Sequence, residues 1–146
     1  MTSETIALSS DSLVTLREVT AETVRTICNL QVHQEQKGFV APNAVSIAQA
    51  YFEPNAWFRA IYADDVPVGF VMLYIDQEKS EYFLWRFMID GNFQGLGFGS
   101  QALNLAIEHV RSLQVSAELY TSCVPKQGGP EPFHTKHGFE RTGKVL

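Results

Sequence analysis

A chain of 146 residues has room for one domain with a true core and little more. Its 45% hydrophobic and 18% charged residues suit an ordinary globular domain, and a net charge of −5 argues against a nucleic-acid partner, which would need a basic surface. Cys28 and Cys123 stand in no metal or redox spacing, no basic-then-apolar leader opens the chain, and no apolar run reaches membrane-spanning length, so a cytoplasmic protein without a membrane partner is expected.

In chain order, residues 1–12 are polar and expected to be weakly ordered, within a single domain spanning 1–146. Leu13 to Val19 alternates as a strand. Thr20 is a candidate cap for a helix reaching about Gln34, because Val24, Ile27 and Cys28 recur at helical spacing. Glycine and proline make residues 35–43 a loop, and Asn43 is placed to cap a second helix, Ala44 to Phe52. Trp57 to Ala63 and Val68 to Ile75 read as a hairpin, with Glu81 to Ile89 as the next strand of the meander. A helix follows to Leu113, then a strand from Val115 to Val124. A short helix, Glu131 to His137, with Gly138 as its C-cap, and a last strand, Phe139 to Leu146, complete the order β-α-α-β-β-β-α-β-α-β. That order predicts an α+β fold with a mostly antiparallel sheet.

The stretch around which these elements gather is Trp85 to Ser100, WRFMIDGNFQGLGFGS. A strand, a glycine-rich turn (Gln94-Gly95-Leu96-Gly97-Phe98-Gly99) and a helix aim backbone N–H groups and a helix dipole at one point, which suits phosphate. A Walker A loop is excluded, because no lysine follows the last glycine. A dinucleotide fingerprint fits poorly, because the spacing is G-x-G-x-G after an antiparallel meander. From the glycines alone, a phosphate cradle and a plain tight turn stand about level.

The segment Gln94 to Gly99 resembles the Q/R-x-x-G-x-G/A signature of the GNAT acetyltransferase superfamily, and it lies between the fourth strand and third helix as it does there. Downstream, Phe133-His134-Thr135-Lys136-His137-Gly138-Phe139 resembles the F-Y-x-x-x-G-F segment of the same superfamily. The run Trp85-Arg86-Phe87-Met88-Ile89-Asp90, with Phe39-Val40-Ala41-Pro42-Asn43, looks like the branch described as spermine/spermidine (diamine) acetyltransferases. The resemblance implies acetyl-CoA as co-substrate, lying between the fourth and fifth strands. Backbone groups of Phe87, Met88 and Ile89 would then meet the pantetheine arm, and Gln94, Gly95, Leu96, Gly97, Phe98, Gly99 and Ser100 would hold the pyrophosphate. Gln127 stands where relatives often carry a CoA-contacting asparagine.

Direct attack on a thioester needs a neutral amine. A primary ammonium with a pKa of roughly 10.4 is neutral on the order of once in a thousand at pH 7, a penalty of about 4–5 kcal/mol. A nearby carboxylate offsets it. Glu35 is the leading candidate, as base or as holder of a cationic acceptor, and Glu81 the second; each is also readable as a surface carboxylate. His134 replaces the usual tyrosine as proton donor to the departing thiolate, or else has no such role. Trp85, Phe39 and Tyr51 are candidate walls of an amine pocket, with core packing the plainer reading of each. His134 and His137 lack a third ligand, so no metal is expected. His33 and His109 read as helix-surface residues. The acceptor expected is a small amine, with spermidine or spermine at the front and an aminoglycoside, amino acid or protein N-terminus behind; an acyl-CoA-binding module without turnover is the rival class. The early stop at Leu146 leaves a sheet edge that a second copy would cover, making a homodimer the expected assembly.

Overall fold

A computed structural model describes residues 8–38 and 40–121. Strands β1 (Val14–Arg17), β2 (Ala56–Ala63), β3 (Val66–Asp76), β4 (Glu81–Ile89) and β5 (Leu119–Thr121) form one five-stranded sheet in the order β1-β2-β3-β4-β5. All pairs are antiparallel except β4–β5, which is parallel. A parallel neighbour needs a crossover, and helix α3 (Phe98–Leu113) supplies it. Helices α1 (Val24–Asn29) and α2 (Asn43–Phe52) cover the opposite face. This is the expected α+β arrangement. No helix among the described residues is long and apolar enough to cross a membrane.

Alternation along the strands divides the core in two. Leu73, Tyr82, Leu84 and Ile89 pack with Phe98, Leu103, Ala106 and Val110 on the α3 side. Phe70, Met72 and Met88 meet Ile27 on the other, with Ile47, Ala50 and Trp85 at its margin. Gly69 lies opposite Ile89, where a methyl group would collide with the Met88 carbonyl, so the closest approach of β3 to β4 depends on its missing side chain. β3 begins earlier than the hydrophobic run implies and includes Pro67. A register shift at Ile61/Tyr62 takes up the proline, which has no N–H for the ladder.

Several boundaries differ from expectation for tertiary reasons. α1 ends at Asn29, well before Gln34, because the Gln31 N–H and carbonyl are engaged by the Asp90 carboxylate and the Gly91 N–H rather than by a helix turn. Asn43 does not cap α2. It is the first helical residue, only 2% exposed, and its Nδ2 donates to the Ile27 carbonyl at the end of α1 (2.9 Å). β5 starts at Leu119 rather than Val115, because the chain turns after α3 with the Ala117 N–H donating to the Gln114 carbonyl. The short helix and last strand expected after residue 121 lie outside the described residues, as do Phe39, Gln127 and His134.

Candidate active site at the junction of β4 and α3

The loop between β4 and α3 is anchored by alternation. Leu96 packs on the α3-side core and Phe98 is buried, whereas Gly95 and Gly97 face outward. Both glycines are left-handed (φ 85° and 83°), and a Cβ built on either would meet nothing within 4 Å. Gly97 caps a helix of 16 residues and has no side chain with which to bond its first turn. The Gln101 N–H makes the bond to the Gly97 carbonyl, so the N–H groups of Phe98, Gly99 and Ser100 precede it at the positive end of the dipole. An outward-facing helix N-terminus without a side-chain cap, beside two glycines, has the donors and the dipole that suit an anion.

The strand leading in is shaped as well. The Met88 carbonyl and the Asp90 N–H are directed at β3, so by alternation Phe87 and Ile89 direct their backbone groups to the β5 side. Met88, expected to contact cofactor through its backbone, turns that carbonyl away. Leu73 pairs with Leu84 and Met72 with Arg86, which leaves Trp85 as the extra residue of a bulge. Among the described residues the β4–β5 ladder runs only from Tyr82 to Leu84.

The residues expected to serve the acceptor do not all gather here. Glu35 is exposed on a 3-10 turn, Gln34–Gln36, between α1 and α2, and this turn is bound directly to the glycine loop. Trp85 is half-buried against the α1/α2-side core. Glu81 is exposed at the far end of β4, about 26 Å from Ile89 at strand spacing. Tyr51 is not core: it is 84% exposed at the end of α2, edge-on to Phe52. Among the described residues no group of His, Cys, Asp or Glu could hold a metal ion.

Three residues matter that sequence reasoning missed. Asp90 is buried and accepts from the N–H groups of Gln31 and Asn92, both at 2.9 Å. Gln36 pairs with Gln94, whose Nε2 also donates to the Ile89 carbonyl (2.9 Å); the Gln94 side chain is thus a brace rather than a phosphate ligand. Arg86 lies on the α1/α2 side of β4. Its Nη1 donates to the Trp85 carbonyl and its Nη2 to Gln49 Oε1, while its buried Nε has no partner. Among the described residues no carboxylate pairs with it, unlike Arg17 and Arg59, and burial lowers its pKa below the usual arginine value. Arg86 and Asp90 lay within the Trp85–Asp90 run and Gln94 within the glycine signature, but neither pattern told what their side chains bind, and nothing local marks Gln36.

A shallow cavity of about 460 Å³ lies elsewhere, between β1, β2 and α3, lined by residues including Leu16, Trp57, Arg59, Leu105 and His109. Trp57 is sandwiched there: His109 stacks on it at 4.3 Å and the Arg59 guanidinium lies 4.5 Å from its ring. Burial, and secondly the Arg59 charge, pushes the His109 pKa down.

A model of the acetyltransferase (GNAT) family matches residues 24–139. Two proteins of Bacillus subtilis, a spermine/spermidine N(1)-acetyltransferase of strain 168 and a probable spermine N(1)-acetyltransferase of subspecies natto, are each 25% identical over 142 residues, covering 90% of this chain and 91% of theirs. The PaiA N-acetyltransferase of Thermoplasma acidophilum, solved with coenzyme A, superposes with a TM-score of 0.66 at 15% identity, over 88% of this chain and 90% of that one. At that identity the likeness speaks for the fold.

Proposed function

The chain belongs to the acetyltransferase (GNAT) family and is an acetyl-CoA-dependent N-acetyltransferase; from that premise we propose that its acceptor is a primary amine of a small polycation of the spermidine and spermine class. The observation that carries this reading is the exposed, glycine-lined N-terminus of α3, which follows directly on β4. The residues present fit coenzyme A: Gly95 and Gly97 leave room for a pyrophosphate against the backbone, and the first-turn N–H groups of α3 complement its charge. The backbones of Phe87 and Ile89 face the β5 side of β4, where the pantetheine arm would lie, with the Ile89 carbonyl held by Gln94 Nε2.

When bound, acetyl-CoA supplies an acyl carbon activated by its thioester. Glu35 takes the proton that the ammonium must lose, directly or through water, and its charge favours a cationic acceptor. His134 returns a proton to the departing sulfur. The polyamine assignment is supported by the two Bacillus relatives and by the net charge of −5. Arg86 favours a second reading. A guanidinium without a carboxylate partner, on the side of β4 that faces α2, suits an acceptor that carries its own carboxylate, such as an amino acid. A panel of amines read by release of free thiol separates the two. Spermidine and spermine outrunning amino acids and aminoglycosides supports the first reading; amino acids in front support the second. If coenzyme A binds but no amine releases thiol, the chain is a binding module without turnover.

A further inference from the structure

We infer that Gln36 is a positioning residue, through which occupation of the cofactor loop fixes the segment that carries Glu35; the inference rests on the reading of the glycine loop as the coenzyme A site. The 31–36 segment is fastened to the β4–α3 connection at both ends. At one end the Gln31 N–H donates to Asp90 Oδ2 (2.9 Å) and its carbonyl accepts from the Gly91 N–H (2.8 Å). At the other, the Gln36 and Gln94 amides pair reciprocally, Gln94 Nε2 donating to Gln36 Oε1 at 2.8 Å and Gln36 Nε2 to Gln94 Oε1 at 3.3 Å. Between them Gly91 packs against His33, where a methyl group would stand 2.9 Å from the ring Nδ1.

The orientation of the amide pair is determined by its surroundings. Gln94 Nε2 also meets the Ile89 carbonyl (2.9 Å), which requires a donor there, and Gln36 Oε1 also accepts the His33 N–H (3.2 Å), which requires an acceptor. Flipping both amides would leave two like groups facing each other at each of these contacts. The pair stands at a sensitive place. Gln94 directly precedes Gly95, the first of two left-handed glycines whose outward side meets no neighbouring atom, and Gln36 directly follows Glu35. A pyrophosphate bound by the backbone of 95–100 immobilises the residues beside Gln94. The amide pair passes that restraint to the 3-10 turn, so an acceptor meeting Glu35 afterwards has less ordering to overcome.

Amide hydrogen exchange on the full chain, with coenzyme A as the probe, tests this. In the wild type, coenzyme A should slow exchange in residues 94–101 and also in 31–37, the second by about 5-fold or more. Gln36→Leu should keep the first effect and lose the second, with coenzyme A affinity by calorimetry within about twofold and kcat/KM for the amine about 10-fold lower. Gln36→Glu keeps the oxygen that accepts from Gln94 and His33 and loses only the longer bond to Gln94 Oε1, so it should restore part of the coupling even if the leucine variant is poorly folded. Protection confined to 94–101 in the wild type, or equal protection of both segments in a folded Gln36→Leu, overturns the inference while leaving the cofactor loop in place. No protection and no heat of binding would instead sink the cofactor-loop reading, and the inference with it.

Discussion

The two sides of β4 are held by different forces. Toward α3, Leu84 and Ile89 lie in a continuous apolar core with Phe98, Leu103 and Ala106, and the glycine loop takes its shape from Leu96 and Phe98 beneath it. Toward α1 and α2 the cover is thin. α1 has only 6 residues, Tyr51 and Phe52 stand in solvent, and the segment bearing Glu35 is attached by polar ties at Gln31 and Gln36. Apolar packing is non-directional and tolerates no voids, so it holds a cofactor cradle in one shape. Single hydrogen bonds, worth about 0.5–1.5 kcal/mol each, can be exchanged piecemeal. If Glu35 serves the acceptor as proposed, its side of β4 is the part that can change substrate without loss of the fold.

The comparison is broken most severely at Gly69, which serves both sides. Gly69→Ala should cost about 3 kcal/mol in denaturant unfolding, since a methyl group would push β3 from β4 against a backbone carbonyl; an unchanged midpoint would show that β4 yields there. Gly97→Val tests the cofactor side alone. Its left-handed backbone should cost about 1–3 kcal/mol of stability, and calorimetry should find coenzyme A affinity lowered about 100-fold. Gly38→Ala, which meets nothing within 4 Å and has no left-handed φ, should change stability by about 0.5 kcal/mol at most.

On the acceptor side Glu35→Gln should lower kcat/KM for the amine about 100-fold, with coenzyme A affinity preserved. A rise in KM with kcat unchanged would make Glu35 a binding residue rather than a base. Arg86→Met should change stability by about 1 kcal/mol or less, because it removes a desolvated guanidinium whose Nε is unpartnered. The same variant should lower the rate with carboxylate-bearing amines about 10-fold relative to spermidine, if such amines are substrates. Equal effects on both acceptor classes would remove Arg86 from acceptor choice.

The smallest expected effect is on pH dependence. The folded-state pKa of His109 lies below its unfolded value near 6.5, so the folded chain resists protonation there. Its contribution is present above about pH 6.5 and is lost as pH falls from there toward the folded pKa. Thermal melts from pH 7.5 to 5 should show a decline that His109→Phe flattens, leaving coenzyme A binding unaltered. A decline of the same size in the variant would assign it to other groups. Neutral His109 stacked on Trp57 packs at the opposite end of the core from the site.

The amino-acid sequence by itself determined the meander, α3 and the turn between them. Alternation from Glu81 to Ile89, glycines at 95 and 97 and helical spacing after Ser100 are local patterns, readable within one or two turns of chain. Recognition of the acetyltransferase signature rested on the same contiguous residues. Tertiary structure alone decided where α1 stops, that Asn43 is buried as a tie to Ile27 and does not cap, that Gln94 braces Gln36, and that Arg86 meets no carboxylate among the described residues. Gln36 and Gln94 are 58 residues apart, and a pairing over that separation leaves no period or motif in the chain. Local backbone preference writes the cofactor loop; the acceptor side exists only once distant polar groups have found each other.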